Sequence, residues 1–93
     1  MLERSELTYG EVRFHHCIAT LEYVKPQPGE IFIDLGCGAG RPVFSAALAF
    51  PQLAVCKGLE LLEQLTSMAQ EISGKVLAEC ERRQMACAPI EIN

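Results

Sequence analysis

The segment Ile31-Phe32-Ile33-Asp34-Leu35 runs without a break into Gly36-Cys37-Gly38-Ala39-Gly40, and no other stretch limits the possible folds as tightly. The first five residues are apolar except for Asp34 and include two β-branched isoleucines, so they read as a strand buried on both faces. The three alternating glycines allow a tight turn and let another molecule lie against the backbone. Pro42 follows in a first-turn helical position, where its missing N–H costs nothing. Val43 to Phe50 is apolar nearly all round, which predicts a short buried helix, and Pro51 stops it. Strand, glycine turn and buried helix together open a parallel α/β sheet.

The flanking pattern extends that unit. Phe14, Cys17, Ile18, Leu21 and Val24 recur at helical spacing, predicting an amphipathic helix from Glu11 to Val24. Lys25-Pro26-Gln27-Pro28-Gly29 ends it in a loop. Leu53 to Leu59 reads as a second strand, with Glu60 at its end. A long third helix is expected from Leu61 to Met85, with Leu62, Leu65, Ala69, Ile72, Val76 and Cys80 as its apolar stripe. Glu71 with Lys75, and Glu79 with Arg83, fall four residues apart on its wet face. Pro89-Ile90-Glu91-Ile92 begins a third strand.

Helix, strand, helix, strand, helix, strand makes an α/β chain, a Rossmann-like half of a doubly wound parallel sheet with order 3-2-1. The 93 residues suffice for one domain and one modest core. Order 3-2-1 leaves the strand Ile31 to Leu35 at a sheet edge. An unpaired edge beside apolar side chains invites self-association, so a homo-oligomer is expected, most simply a two-fold dimer.

Composition removes several function classes. Twelve acids against 8 bases give a net charge of −4, which argues against direct nucleic-acid binding. No apolar run approaches the roughly 18 residues of a membrane span. The charged start Met1-Leu2-Glu3-Arg4-Ser5-Glu6 lacks the apolar core of a secretion signal, so an intracellular site, cytoplasmic or nuclear, is expected. The five cysteines are odd in number and none are spaced as C-x-x-C. They read as reduced, buried thiols, with neither a disulfide framework nor a zinc site. The adjacent His15 and His16 point to different helix faces, and no metal is expected.

The chemistry concentrates where ligands bind in such sheets, beyond the carboxyl ends of the strands, and both Asp34 and Glu60 fall there. A dinucleotide fingerprint G-x-G-x-x-G offers glycines and a helix N-terminus to a pyrophosphate. Here the pattern is G-x-G-x-G: counting from Gly36, the third glycine position holds Arg41, and counting from Gly38 it holds Val43. A carboxylate just before the turn repels a pyrophosphate and suits a ligand with a ribose, no phosphate and a cationic tail. S-adenosylmethionine has that chemistry. No G-K-[ST] occurs, which excludes a P-loop.

Pro28-Gly29-Glu30 followed by Ile31 to Gly40 resembles motif I of class I S-adenosylmethionine-dependent methyltransferases. Upstream, Thr8-Tyr9-Gly10-Glu11 precedes the first predicted helix, with Tyr9 lying 25 residues before Asp34. Together with Phe32 to Leu48 and Gly58-Leu59-Glu60, this is similar to the non-SET histone lysine methyltransferases named for disruption of telomeric silencing. The resemblance implies the N-terminal part of a class I methyltransferase fold, S-adenosylmethionine as cofactor, S-adenosylhomocysteine as product and a protein acceptor such as a histone. It implies that Tyr9 and Glu11 belong to a loop over the cofactor, that Asp34, Gly36 and Gly38, with Gly40 in the same motif, hold the methionine part, and that Glu60 binds the ribose. The family's small hydroxyl residue in motif I is Cys37 here. Such folds have about seven strands, so the cofactor half is expected without its acceptor half, inactive as an isolated chain and with no catalytic residue to name. A methyltransferase part acting on RNA or a small molecule, and a non-enzymatic interaction module, stay open as alternatives.

Overall fold

The computed structural model describes residues 4–93, with side chains described from residue 14 onward. The elements are α1 (Arg4–Val24), β1 (Ile31–Leu35), α2 (Arg41–Ala49), β2 (Val55–Leu59), α3 (Glu63–Arg82) and β3 (Ile90–Ile92). The strands form one parallel sheet in the order β1-β2-β3, the expected 3-2-1 order.

Element boundaries shift for local reasons. The first helix begins at Arg4 rather than Glu11, so residues 8–11, expected as a loop, lie within α1. The single Gly10 costs a helix only about 1 kcal/mol, and no proline interrupts the segment. β2 starts at Val55 rather than Leu53. The Leu53 amide donates to the Phe50 carbonyl at 3.1 Å in the preceding turn, while its side chain is buried in the core. α3 ends at Arg82, short of Met85, because Gln84 adopts a left-handed φ of 56°. The Met85 amide then folds back onto the Cys80 carbonyl at 2.8 Å, closing the helix end.

The core is made largely of small side chains. Val43, Ala46, Ala47, Cys56, Ala69 and Ala88 are fully buried, and Cys37, Phe44, Leu53 and Ile92 nearly so. Small residues let backbones approach: the Ala88 amide donates directly to the carbonyl of Ala47 in α2, at 3.0 Å. α2 is buried along Val43 to Ala47, as its all-round apolar pattern requires. Leu21 of α1 and Ile72 and Val76 of α3 pack against the same cluster. The five cysteines are all free; burial pushes the Cys56 and Cys87 thiols up to about 11. No helix among the described residues is long and apolar enough to cross a membrane.

One expectation about β1 is overturned. The strand is covered on one face only: Phe32 packs against the core, while Ile31, Ile33 and Leu35 are 56%, 54% and 75% exposed. In the parallel register these three sit level with Val55, Lys57 and Leu59. Lys57 pairs on that open face with Glu91 of β3 at 3.8 Å. An unbroken apolar run looks the same whether one face or two are covered, because alternation is absent from it in both cases.

Gly58 in β2 is where sheet and glycine turn come closest. A Cβ there would lie 2.7 Å from Cys37 Sγ and 3.0 Å from Val43 Cγ2, both buried. Gly58→Ala is therefore expected to destabilise the chain by about 1–3 kcal/mol, the usual cost of overpacking. Adding Cys37→Ala should restore part of that loss by removing the nearest atom. Denaturant midpoints followed by circular dichroism check both; an unchanged midpoint for the single variant would mean that Cys37 moves aside freely.

Candidate cofactor-binding crevice

Asp34 is carried to the crevice by β1, at the register position facing Gly58. Beyond it the chain turns through Gly36 and Gly38, at φ of 76° and 59°, values that a side chain rarely tolerates. A Cβ at either glycine would meet nothing within 4 Å, so both backbones face open space. Gly40 differs. It caps α2 at φ 97°, and a Cβ there would lie 2.7 Å from the Phe44 ring. Gly40 thus serves helix packing and does not line the crevice. Pro42 sits in the first turn of α2, the position its ring favours.

Two clefts meet at Gly36. One, of about 410 Å³, is lined by Asp34, Gly36, Cys37, Gly38, Ala39, Arg41 and Pro42. The other, of about 510 Å³, is lined by Leu35, Gly36, Leu59, Glu60, Leu61 and Asn93. The structure therefore brings Asp34, Gly36, Gly38 and Glu60 to one continuous surface, the first three on one side and Glu60 on the other. Tyr9 and Glu11 belong to α1, and their side chains lie outside the described residues.

The turn hangs from the end of β2. The Gly36 and Cys37 amides both donate to the Leu59 carbonyl, at 2.7 Å and 3.0 Å. The next amide, Gly38, donates to Glu60 Oε1 at 2.8 Å. Glu60 Oε2 accepts from the Leu62 amide at 2.9 Å, at the start of α3. Three successive amides of the turn are thus satisfied by residues 59 and 60.

Electrostatics divide the two acids. Burial pushes the Asp34 carboxyl above its usual range, because its charged form has lost water. Glu60 is held below the usual range by the Leu62 and Gly38 amides, which bond its charged form. Burial raises the Cys37 thiol, and the negative charges of Asp34 and Glu60 raise it further. Asp34 and Glu60 thus place negative charge on both sides of Gly36, suited to a cation and to hydroxyl donors, while Arg41 adds one positive charge at the rim of the first cleft.

Sequence reasoning quoted Gly58 and Cys37 within the matching motifs but gave them no role in the site, and it gave none to Arg41, Leu61 or Asn93. A glycine inside a strand was the available signal for Gly58, since such a residue marks close backbone approach. Leu61 and Asn93 carry no motif; only the pairing of β2 with β3 brings them together, through the Glu60 amide donating to the Asn93 carbonyl at 3.0 Å.

The family described as Histone methylation protein DOT1 matches residues 3–91. A histone-lysine N-methyltransferase, H3 lysine-79 specific, of Eremothecium gossypii is 28% identical over 89 residues, covering 96% of this chain and 15% of that protein. A protein of the same description from Caenorhabditis elegans is 31% identical over 67 residues, covering 72% of this chain and 7% of that protein. The chain therefore spans a small fraction of the length of these relatives. Among solved structures, the YcgJ protein of Bacillus subtilis superposes with a TM-score of 0.56 at 14% identity, over 83% of this chain and 30% of that one. That likeness concerns the fold alone.

The burial of Asp34 carries a pH signature. Its folded-state pKa is raised, so ionising it costs the fold more than it costs the unfolded chain, and its contribution declines as pH rises through its titration. Asp34→Asn should therefore be more stable than the native chain at neutral pH. The difference should shrink as pH falls below the carboxylate range. Thermal midpoints of the two chains between acid and neutral pH check this; a gap that grows toward acid would reverse the sign assigned to Asp34.

Proposed function

The chain belongs to the Histone methylation protein DOT1 family, and from that premise we propose that it is the S-adenosylmethionine-binding part of a histone lysine methyltransferase. One observation carries the cofactor reading: the amides of Gly36, Cys37 and Gly38 are already satisfied by Leu59 and Glu60. A dinucleotide site needs such amides free for its pyrophosphate. What this turn offers instead is open backbone at Gly36 and Gly38 between two carboxylates, which fits a nucleoside with a cationic tail and no phosphate.

In this reading Asp34, Gly36 and Gly38 hold the methionine part, with Asp34 receiving its ammonium and so regaining the solvation lost on burial. Glu60 accepts from the ribose hydroxyls, and Leu59 and Leu61 supply apolar surface for the base beside it. Tyr9 and Glu11 act over the methionine end. The bound cofactor supplies an electrophilic methyl group; the chain's own residues bind and orient it. Relatives described as H3 lysine-79 specific support a lysine amine of a histone as the acceptor class and the nucleus as the place of action. Orientation of an acceptor supplies much of the acceleration of a displacement. The matched span is 15% of the length of the Eremothecium gossypii protein, and the residues assigned here bind and orient the cofactor only, so the 93-residue chain is expected to transfer no methyl group by itself.

Self-association is part of the same proposal. The edge of β1 opposite β2, beside the exposed Ile31, Ile33 and Leu35, offers backbone groups and apolar surface together, and an identical edge across a two-fold axis matches both.

Calorimetric titration should show S-adenosylhomocysteine binding and NAD failing to compete. NAD binding equal to or tighter than S-adenosylhomocysteine defeats the cofactor reading. Nucleosomes incubated with the chain and labelled S-adenosylmethionine should acquire no label above blank, and turnover there would mean the acceptor site is already present. Light scattering at micromolar concentration should give twice the chain mass; a monomer would show that this edge is not a dimer contact.

A further inference from the structure

This inference rests on the nucleoside-cofactor reading of the crevice and asks what keeps phosphates out of it. Glu60 is bonded at both oxygens: Oε1 accepts from the Gly38 amide at 2.8 Å and Oε2 from the Leu62 amide at 2.9 Å. The side chain thereby ties the glycine turn after β1 to the N-terminus of α3. Further bonds keep its backbone in place. Its amide donates to the Asn93 carbonyl at 3.0 Å, and its carbonyl accepts from Thr66 Oγ1 at 3.0 Å. A residue fixed at amide, carbonyl and both carboxylate oxygens is held in one orientation. A carboxylate has about four acceptor positions, so each Glu60 oxygen retains one for a further donor.

We propose that Glu60, beyond its part in holding the ribose, is a positioning and specificity-determining residue, clamped between the Gly38 and Leu62 amides so that it closes the Gly38 amide of the glycine turn to anions. The carboxylate is the turn's own internal anion. It occupies the amide that would otherwise meet a phosphate oxygen, and its charge repels a phosphate nearby. A nucleoside therefore enters where its 5′-phosphate is rejected, without any steric block.

The experiment uses the whole chain and two variants. Glu60→Gln has one carbonyl oxygen in place of two carboxylate oxygens and cannot accept from both amides. Leu62→Pro removes one donor at an exposed helix-start position whose φ of −83° is near the proline range. Amide hydrogen exchange of the ligand-free chain should show Gly38 or Leu62 exchanging at least about tenfold faster in Glu60→Gln, and Gly38 faster in Leu62→Pro, on the scale of a lost charged hydrogen bond. The Cys56 amide, in the core strand, should stay protected in both and so report an intact fold. Calorimetry with adenosine and adenosine 5′-monophosphate should show the native chain preferring adenosine, and Glu60→Gln reducing that preference about tenfold or more. Unchanged exchange at both amides in both variants overturns the clamp. Faster exchange with an unchanged adenosine preference overturns the exclusion of anions. A native chain that binds neither adenosine nor S-adenosylhomocysteine defeats the cofactor reading, while the exchange result still decides the clamp.

Discussion

The amides of Gly36, Cys37 and Gly38 point at the end of β2 and are bonded there, and the geometry of the crevice follows from that attachment. The attachment requires the turn to lie flat on β2, which brings the Cys37 side chain against the backbone of Gly58. It sets Asp34 at one side of Gly36 and Glu60 at the other. It also aims the Cα atoms of Gly36 and Gly38 away from the protein, into open space. A turn whose amides pointed outward would bind anions; one whose amides point inward offers its carbons and the nearby acids instead. The choice between two ligand classes thus depends on which way three N–H groups face.

Much of this was legible in the chain itself. β1 has the expected limits because Gly29 and Gly36, both at positive φ, bracket it with turns. Asp34 and Glu60 were legible as residue types at strand ends, since any parallel sheet of this kind places them there. The partners of Glu60 were not. Its bond to Gly38 spans 22 positions and exists only because β1 and β2 are in register. The exposure of Ile31, Ile33 and Leu35 was hidden for another reason: apolar side chains record a preference for burial, not whether a neighbour supplies it. Residues 8–11 were expected as a loop from the family resemblance alone, whereas the helix continues through the glycine at position 10.

The smallness of the core has the same origin as the tightness of the crevice. Ala46, Ala47, Ala69 and Ala88 leave no bulk between α2 and its surroundings, so α2 sits close to the sheet and its first turn is held near the glycine turn. Gly40 continues this pattern, with the Phe44 ring packed over its Cα. Stabilisation is drawn from close contact rather than from large buried side chains, and a single added methyl at such a point meets atoms that have nowhere to go.

The parallel order β1-β2-β3 also governs how the chain reaches this state. Each strand pairing joins segments separated by a whole helix, and no hairpin offers a local start. Loop-closure entropy must be met before the first ladder bond forms, so contact order rather than helix propensity sets the folding speed. The inward-facing amides of the glycine turn take their acceptors from Leu59 and Glu60, at the far end of the β1–β2 pairing, so they are satisfied only where the two strands lie side by side. The crevice is therefore complete only when the sheet is.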